Sequence, residues 1–210
     1  MAAPAPPVGS LWVPTPARLA RLLVGLWLFG SGEGLLVHAG LGNSPWTVLA
    51  DGVSSHSSLS IGTATIVISF LVLLVWVPLR QRPGLGTIAN AIVVGLAVDA
   101  TLAYLPSTSG VVPWLEVPGG IALVGLGSGL YINAALGPGP RDGLMTGIHG
   151  RTGWPIAAAR AGIEVSALTA GLALGGHAGV GTLAFALGVG PAVALGLRAL
   201  PGGEASATRE

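Results

Sequence analysis

Ionisable side chains are scarce in this chain, and their positions point to chemistry inside an apolar medium. Arg160 and Glu164 are four residues apart in an apolar run, which on a helix puts both side chains on one face within pairing reach. Glu33, inside the glycine-rich stretch GSGEG, and His38 fall in a second such run, Asp99 in a third, and Asn90 and Asn133 are uncharged polar groups in similar surroundings. The stretch GPGPRDGLMTG (137–147) sets Arg141 and Asp142 side by side within a frame of glycines and prolines. Such groups are costly in hydrocarbon and face protein or a water-filled cavity. Glu33 reads equally well as a proton-coupling carboxylate or as a hydrogen-bonding link to a neighbouring helix. Arg141 reads as a site for an anionic group or as a positive anchor at the inner membrane face, and Asp142 as a carboxylate capping a short helix. The candidate binding or coupling residues are therefore Glu33, Asp99, Arg141, Asp142, Arg160, Glu164 and Asn133.

Several chemistries are not expected. There is no cysteine, which removes disulfides, thiolate catalysis and cysteine metal sites. The four histidines lack metal-ligand spacing, so no metal is expected. GLGSG (125–129) holds a serine without a nucleophile-elbow pattern, and the GxG pairs at 84–86 and 179–181 follow no strand, so no dinucleotide fingerprint is present. No cofactor, no catalytic residue and no nucleic-acid partner are expected. The chain is not read as an enzyme.

The elements that must position these groups follow from composition. Only 8% of the 210 residues are charged and 51% are hydrophobic, with 35 glycines and a mean hydropathy of +0.78; soluble domains carry about 25% charged residues. The medium is lipid. Six stretches, near 18–40, 60–79, 85–105, 118–136, 155–174 and 179–200, approach or reach the roughly 20 residues of a spanning helix. With a cytoplasmic N-terminus, Arg18, Arg21, Arg80, Arg82, Arg141, Arg151, Arg198 and Arg209 all fall inside, while 106–117 and 175–179 lie outside without an arginine, as the positive-inside rule requires. Trp12, Trp46, Trp76, Tyr104, Trp114 and Trp154 lie near predicted span ends and read as interfacial aromatics. A secretory signal peptide ending near VHAG is the rival reading of the start, disfavoured by Gly30, Gly32, Glu33 and Gly34 inside its core. Residues 1–17 and 201–210 read as flexible tails around a membrane domain at 18–200.

The chain also matches itself at an offset of 95 residues. LGNSPWTVLADG (41–52) falls on LGPGPRDGLMTG (136–147), and GLGTIANA (84–91) on GVGTLAFA (179–186). Each unit, about 18–105 and 118–200, holds three spans, so the second enters from the opposite side. The segments 41–56 and 136–151 each open on a glycine/proline break and continue with too few apolar residues to span, which reads as a re-entrant or interfacial half-helix or as a loop with an amphipathic stretch. Proline suits the first turn of such a helix, whose free N–H groups form a positive end. The expected fold is an all-α polytopic membrane protein of about six transmembrane helices, two inverted three-helix repeats with re-entrant or interfacial half-helices.

LGPGPRDGLMTG, RTGWPIAAARAGIEVSALTAGLALGG and GVGTLAFALGVGP, with PLRQRPGLGTIANAIVVGLAVD in the first unit, resemble the YczE-like bacterial integral membrane proteins of the YczE/YyaS/YitT-like group, over about residues 20–200. The resemblance implies a bacterial cytoplasmic (inner) membrane protein and supplies no agreed substrate or reaction. From the repeat, the expected function is that of a secondary transporter for a small polar or amphiphilic solute. The alternative is a non-transporting scaffold or accessory protein that binds a partner or lipid. Expected partners are membrane lipids, the solute and a second copy of the chain.

Overall fold

The computed structural model describes residues 10–199, and among them every regular element is an α-helix: α1 (Pro16–Ala39), α2 (Pro45–Ser55), α3 (Ile61–Leu79), α4 (Leu85–Tyr104), α5 (Val112–Asn133), α6 (Pro140–Thr152), α7 (Ile156–Ala173) and α8 (Val180–Ala199). Six of them, all but α2 and α6, are long and apolar enough to cross a membrane. The 11 residues of α2 and 13 of α6 rise only about 16–20 Å, short of a bilayer core of about 30 Å. Large apolar side chains such as Leu71, Leu74 and Val77 on α3 and Leu183, Leu187 and Leu195 on α8 are exposed, the surface a lipid solvent calls for.

Local signals explain the helix ends. Thr15 accepts from the Arg18 N–H and Pro16 opens α1; Ser60 accepts from the Thr63 N–H at the start of α3. α1 ends at Gly40 in the left-handed region. The fifth helix departs from its expected span: it begins at Val112 and runs through Pro118 to Asn133. Proline removes one N–H and opposes the carbonyl four residues earlier, yet the helix already started at Val112 continues past it. Glu116 is thereby a helical residue.

Glycines set the helix contacts. α1 and α5 cross at the centre, where a Cβ on Gly32 would lie 2.6 Å from the Gly120 carbonyl oxygen and one on Gly25 would lie 2.8 Å from that of Gly127. Backbones that approach this closely tolerate only small residues. α4 packs on α1 and α8 on α5, while α3 and α7 lie to the sides, held by α6 and α2. The segments leading into the short helices cross over. The Leu41 carbonyl accepts from the Gly181 N–H at 2.7 Å, and the Leu136 carbonyl from the Gly86 N–H at 2.8 Å. Gly42 and Gly137 adopt the positive φ values of 115° and 113° that let the chain turn back between them and the helix starts they touch. α2 rests on α7 through Gly52 and Gly171, and α6 rests on α3, where Trp76 covers Gly143.

Trp76 is a correction to the interfacial reading: it is buried, and its indole N–H donates to the Pro140 carbonyl at 3.0 Å. The expected tails fall largely on residues 1–9 and 201–210, outside the described residues. Of the remainder, Pro16 and Ala17 belong to α1, and the Leu11 carbonyl accepts from the Leu85 N–H at 3.1 Å.

Candidate functional site

The short helices bring their N-termini to one place. Each begins with proline at its first position, after Ser44 in α2 and Gly139 in α6, two N-cap residues with nearly the same extended backbone. The Arg141 guanidinium lies 5.0 Å from the centroid of the Trp46 ring, a cation–π stack. Trp46 and Arg141 occupy matching positions of the two sequence repeats, so each short helix presents the same position to the other. Trp46 is thus a wall of the interior and departs from its interfacial reading.

Around this junction is a cavity of about 190 Å³. Its walls include Ser69 of α3, Asn90 and Val94 of α4, Ile163 and Glu164 of α7 and Val189 of α8, residues near the middle of helices long enough to span. The wall also takes in Thr65, Arg160 and Ile132, which lie nearer the ends of α3, α7 and α5. Phe29, Val124 and Phe185 supply apolar wall. Trp46 and Ile163 also border an apolar groove of about 480 Å³ between α2, α6 and α7, continued by Leu49, Leu144, Ile148 and Trp154.

Glu33 is the most deeply placed acid, 1% exposed. Its Oε2 accepts from the Ser44 and Thr47 hydroxyls, each at 2.7 Å, while Oε1 is buried without a hydrogen-bond partner. Because Ser44 is the N-cap of α2 and Thr47 belongs to its first turn, the carboxylate faces the positive end of a helix, where an anion is stabilised. In the second half the acid sits on the other partner. Asp142, in the first turn of α6, accepts from the Tyr131 hydroxyl at 2.6 Å. By the 95-residue offset Glu33 corresponds to Ser128 and Thr47 to Asp142: hydroxyl and carboxylate have exchanged places between long and short helix. All of Glu33, Ser128, Tyr131, Arg141 and Asp142 line the cavity.

Arg160 and Glu164 also line it and pair at 2.9 Å. The pair is open, with side chains 52% and 39% exposed. The pair is therefore not enclosed by protein, unlike Glu33. Two other candidates lie elsewhere. Asp99 accepts from the Ser60 hydroxyl at 2.5 Å and the Gly62 N–H at 2.8 Å, tying α4 to the start of α3. Asn133 is the last residue of α5 and is absent from the cavity wall.

Sequence reading passed over Ser44, Thr47 and Tyr131, and weighed Ser128 in GLGSG only as a nucleophile. Ser128 had a usable signal, since the offset aligns it with Glu33; Tyr131 had none, because its partner Asp142 is reached only through the fold. A further polar contact joins His38 to Glu116 at 3.0 Å, with the Thr108 hydroxyl on the same carboxylate oxygen. No cluster of three or more His, Asp or Glu side chains that could hold a metal occurs among the described residues.

Comparison with known proteins agrees with the membrane reading. A family model described as a family of unknown function (DUF6198) matches residues 16–198. The chain is 42% identical over 185 residues to an uncharacterized protein of Haemophilus influenzae, covering 88% of this chain and 85% of that one. It is 33% identical over 173 residues to the uncharacterized membrane protein YczE of Bacillus subtilis, covering 81% and 80%, and 27% identical over 165 residues to the uncharacterized protein YyaS of the same species, covering 76% and 82%. No solved structure matches. With six apolar helices of spanning length and a family match over nearly its whole length, the chain is a membrane protein and belongs to the DUF6198 family, relatives of YczE and YyaS.

Proposed function

We propose that the protein is a secondary transporter of the bacterial inner membrane, built as two inverted three-helix repeats, that carries a small polar or amphiphilic solute through the cavity between them. The observation that carries this reading is the cavity itself, a charged chamber among the spanning helices where two half-helix N-termini meet. Transporters with inverted repeats bind solute near the midplane at broken helices of this kind. The crossed hydrogen bonds, Leu41 to Gly181 and Leu136 to Gly86, support the repeat, since each is the other displaced by 95 residues in both partners. α2 and α6 then enter from opposite faces as re-entrant half-helices. Both termini are cytoplasmic in this reading, by the arginine distribution.

Single-cysteine labelling tests topology and access together, because no native cysteine needs removal. Cysteines at Ser107 and His177 are expected to react with an impermeant thiol reagent from the periplasm, and those at Gln81 and Arg151 only after permeabilisation. A cysteine at Ser128, in the cavity wall, is expected to react from either side, in proportions that shift with the conformation the protein adopts. Reaction at Ser128 from one side only in every condition favours a scaffold over a transporter.

The open ion pair supplies a second test. The double change Arg160→Gln with Glu164→Gln is expected to insert and fold, since removing both partners leaves no unpaired charge, and to lose solute transport. Transport by a folded double variant at the unaltered rate removes these two residues from the site.

A further inference from the structure

The charges around the cavity are unequally occupied, and the remainder has a recognisable pattern. Asp142 is engaged by the Tyr131 hydroxyl and Glu164 by Arg160. Two groups are short of hydrogen-bond partners. The Oε1 of Glu33 is buried without a partner, and the guanidinium of Arg141 has the Trp46 ring as its contact and no side-chain hydrogen bond among the described residues. Glu33 and Arg141 both line the chamber, yet no ion pair joins them. A carboxylate and a guanidinium that face one chamber without closing on each other leave room for a ligand bearing both opposite charges.

Resting on the reading of this chamber as the solute site, we propose that its ligand is a small zwitterion with an apolar substituent, its anionic group on Arg141 at the start of α6 and its ammonium on Glu33. The anionic group would gain a charge-assisted contact to the guanidinium together with the positive end of α6. The ammonium would supply the donor that Oε1 lacks, and a buried acceptor left unsatisfied is costly. Phe29, Val124 and Val189 form the apolar wall for the substituent. A volume of about 190 Å³ suits an amino-acid-sized molecule, since a cavity of about 150 Å³ admits benzene. A purely anionic ligand would leave Glu33 as a repelling neighbour, and a purely cationic one would meet Arg141.

The test is a ligand series on the unaltered chain in nanodiscs, followed by titration calorimetry with L-leucine, isoamylamine and isocaproate, which share the isobutyl part and differ in which of the two charged groups they carry. Leucine is expected to bind, and each singly charged analogue to bind at least about tenfold more weakly, the loss of one charged hydrogen bond. Arg141→Gln should weaken leucine and isocaproate and strengthen isoamylamine. Glu33→Gln, which keeps an acceptor for Ser44 and Thr47, should weaken leucine and isoamylamine and strengthen isocaproate. Either analogue binding as tightly as leucine overturns the proposal, as does absence of binding by leucine and by the alanine and phenylalanine run beside it. Access of the Ser128 cysteine from both sides with no zwitterion bound leaves the transporter reading standing and removes this one; one-sided access with the stated leucine pattern does the reverse.

Discussion

Replacing Glu33 by alanine is expected to destabilise the protein by about 3–5 kcal/mol, from two buried hydroxyls that each lose a bond to a charged acceptor worth about 1.5–3 kcal/mol. Ser44 and Thr47 both donate to its Oε2. With the carboxylate gone, they keep only each other, at 3.0 Å, and the first turn of α2 loses the anion that faces its positive end. A competing effect runs the other way, because removing a buried charge relieves its desolvation. The hydroxyls decide the sign here, since they remain buried and turned toward the vacated space. Glu33→Gln retains an acceptor of the same size and is expected to cost less than half as much. Denaturant unfolding in detergent, followed by tryptophan fluorescence, measures both. Equal stability of the alanine variant and the unaltered protein would show that α2 does not depend on the carboxylate.

The second large effect lies in the backbone. Gly42→Ala is expected to cost about 3 kcal/mol or more, combining the strain of a side chain at positive φ with overpacking in a closed site. Gly42 has φ 115°, and a Cβ there would fall well inside contact distance of the Gly179 backbone. The matched residue Gly137, at φ 113°, would place a Cβ 2.9 Å from the Thr87 hydroxyl and 3.1 Å from Gly84, so Gly137→Ala should fail in the same manner. Gly119→Ala is the control: nothing lies within 4 Å of its Cβ position, and on α5 the change should stabilise by up to about 1 kcal/mol. The readout is the yield of folded, monodisperse protein and its melting temperature. A Gly42 variant as stable as the Gly119 variant would mean that the crossed contacts between the halves are dispensable.

Much of the molecule was legible without its fold. Helices cannot leave backbone groups unpaired in lipid, so the apolar runs had to become spans, and five of the six ended within about two residues of where sequence placed them. The first-turn prolines of α2 and α6 were equally local, since proline is suited to that position whatever surrounds it. The pairing of Arg160 with Glu164 followed from helical spacing alone.

Contacts between distant segments had no such local rule. Which apolar face of α5 meets α1, and therefore that Tyr131 reaches Asp142 and that Trp46 lies beneath Arg141, depends on glycine positions acting in pairs across helices. Asp99 and Glu33 look alike in sequence, each an isolated acid in an apolar run. Packing separates them: Asp99 fastens the start of α3, while Glu33 stands in the cavity with one oxygen unused. The sequence by itself determined the medium, the spans and the short helices, because hydrophobic length and backbone hydrogen bonding act within one segment. Only the tertiary structure decided which charges share a chamber, because that depends on how closely the glycine-lined backbones of different helices approach one another.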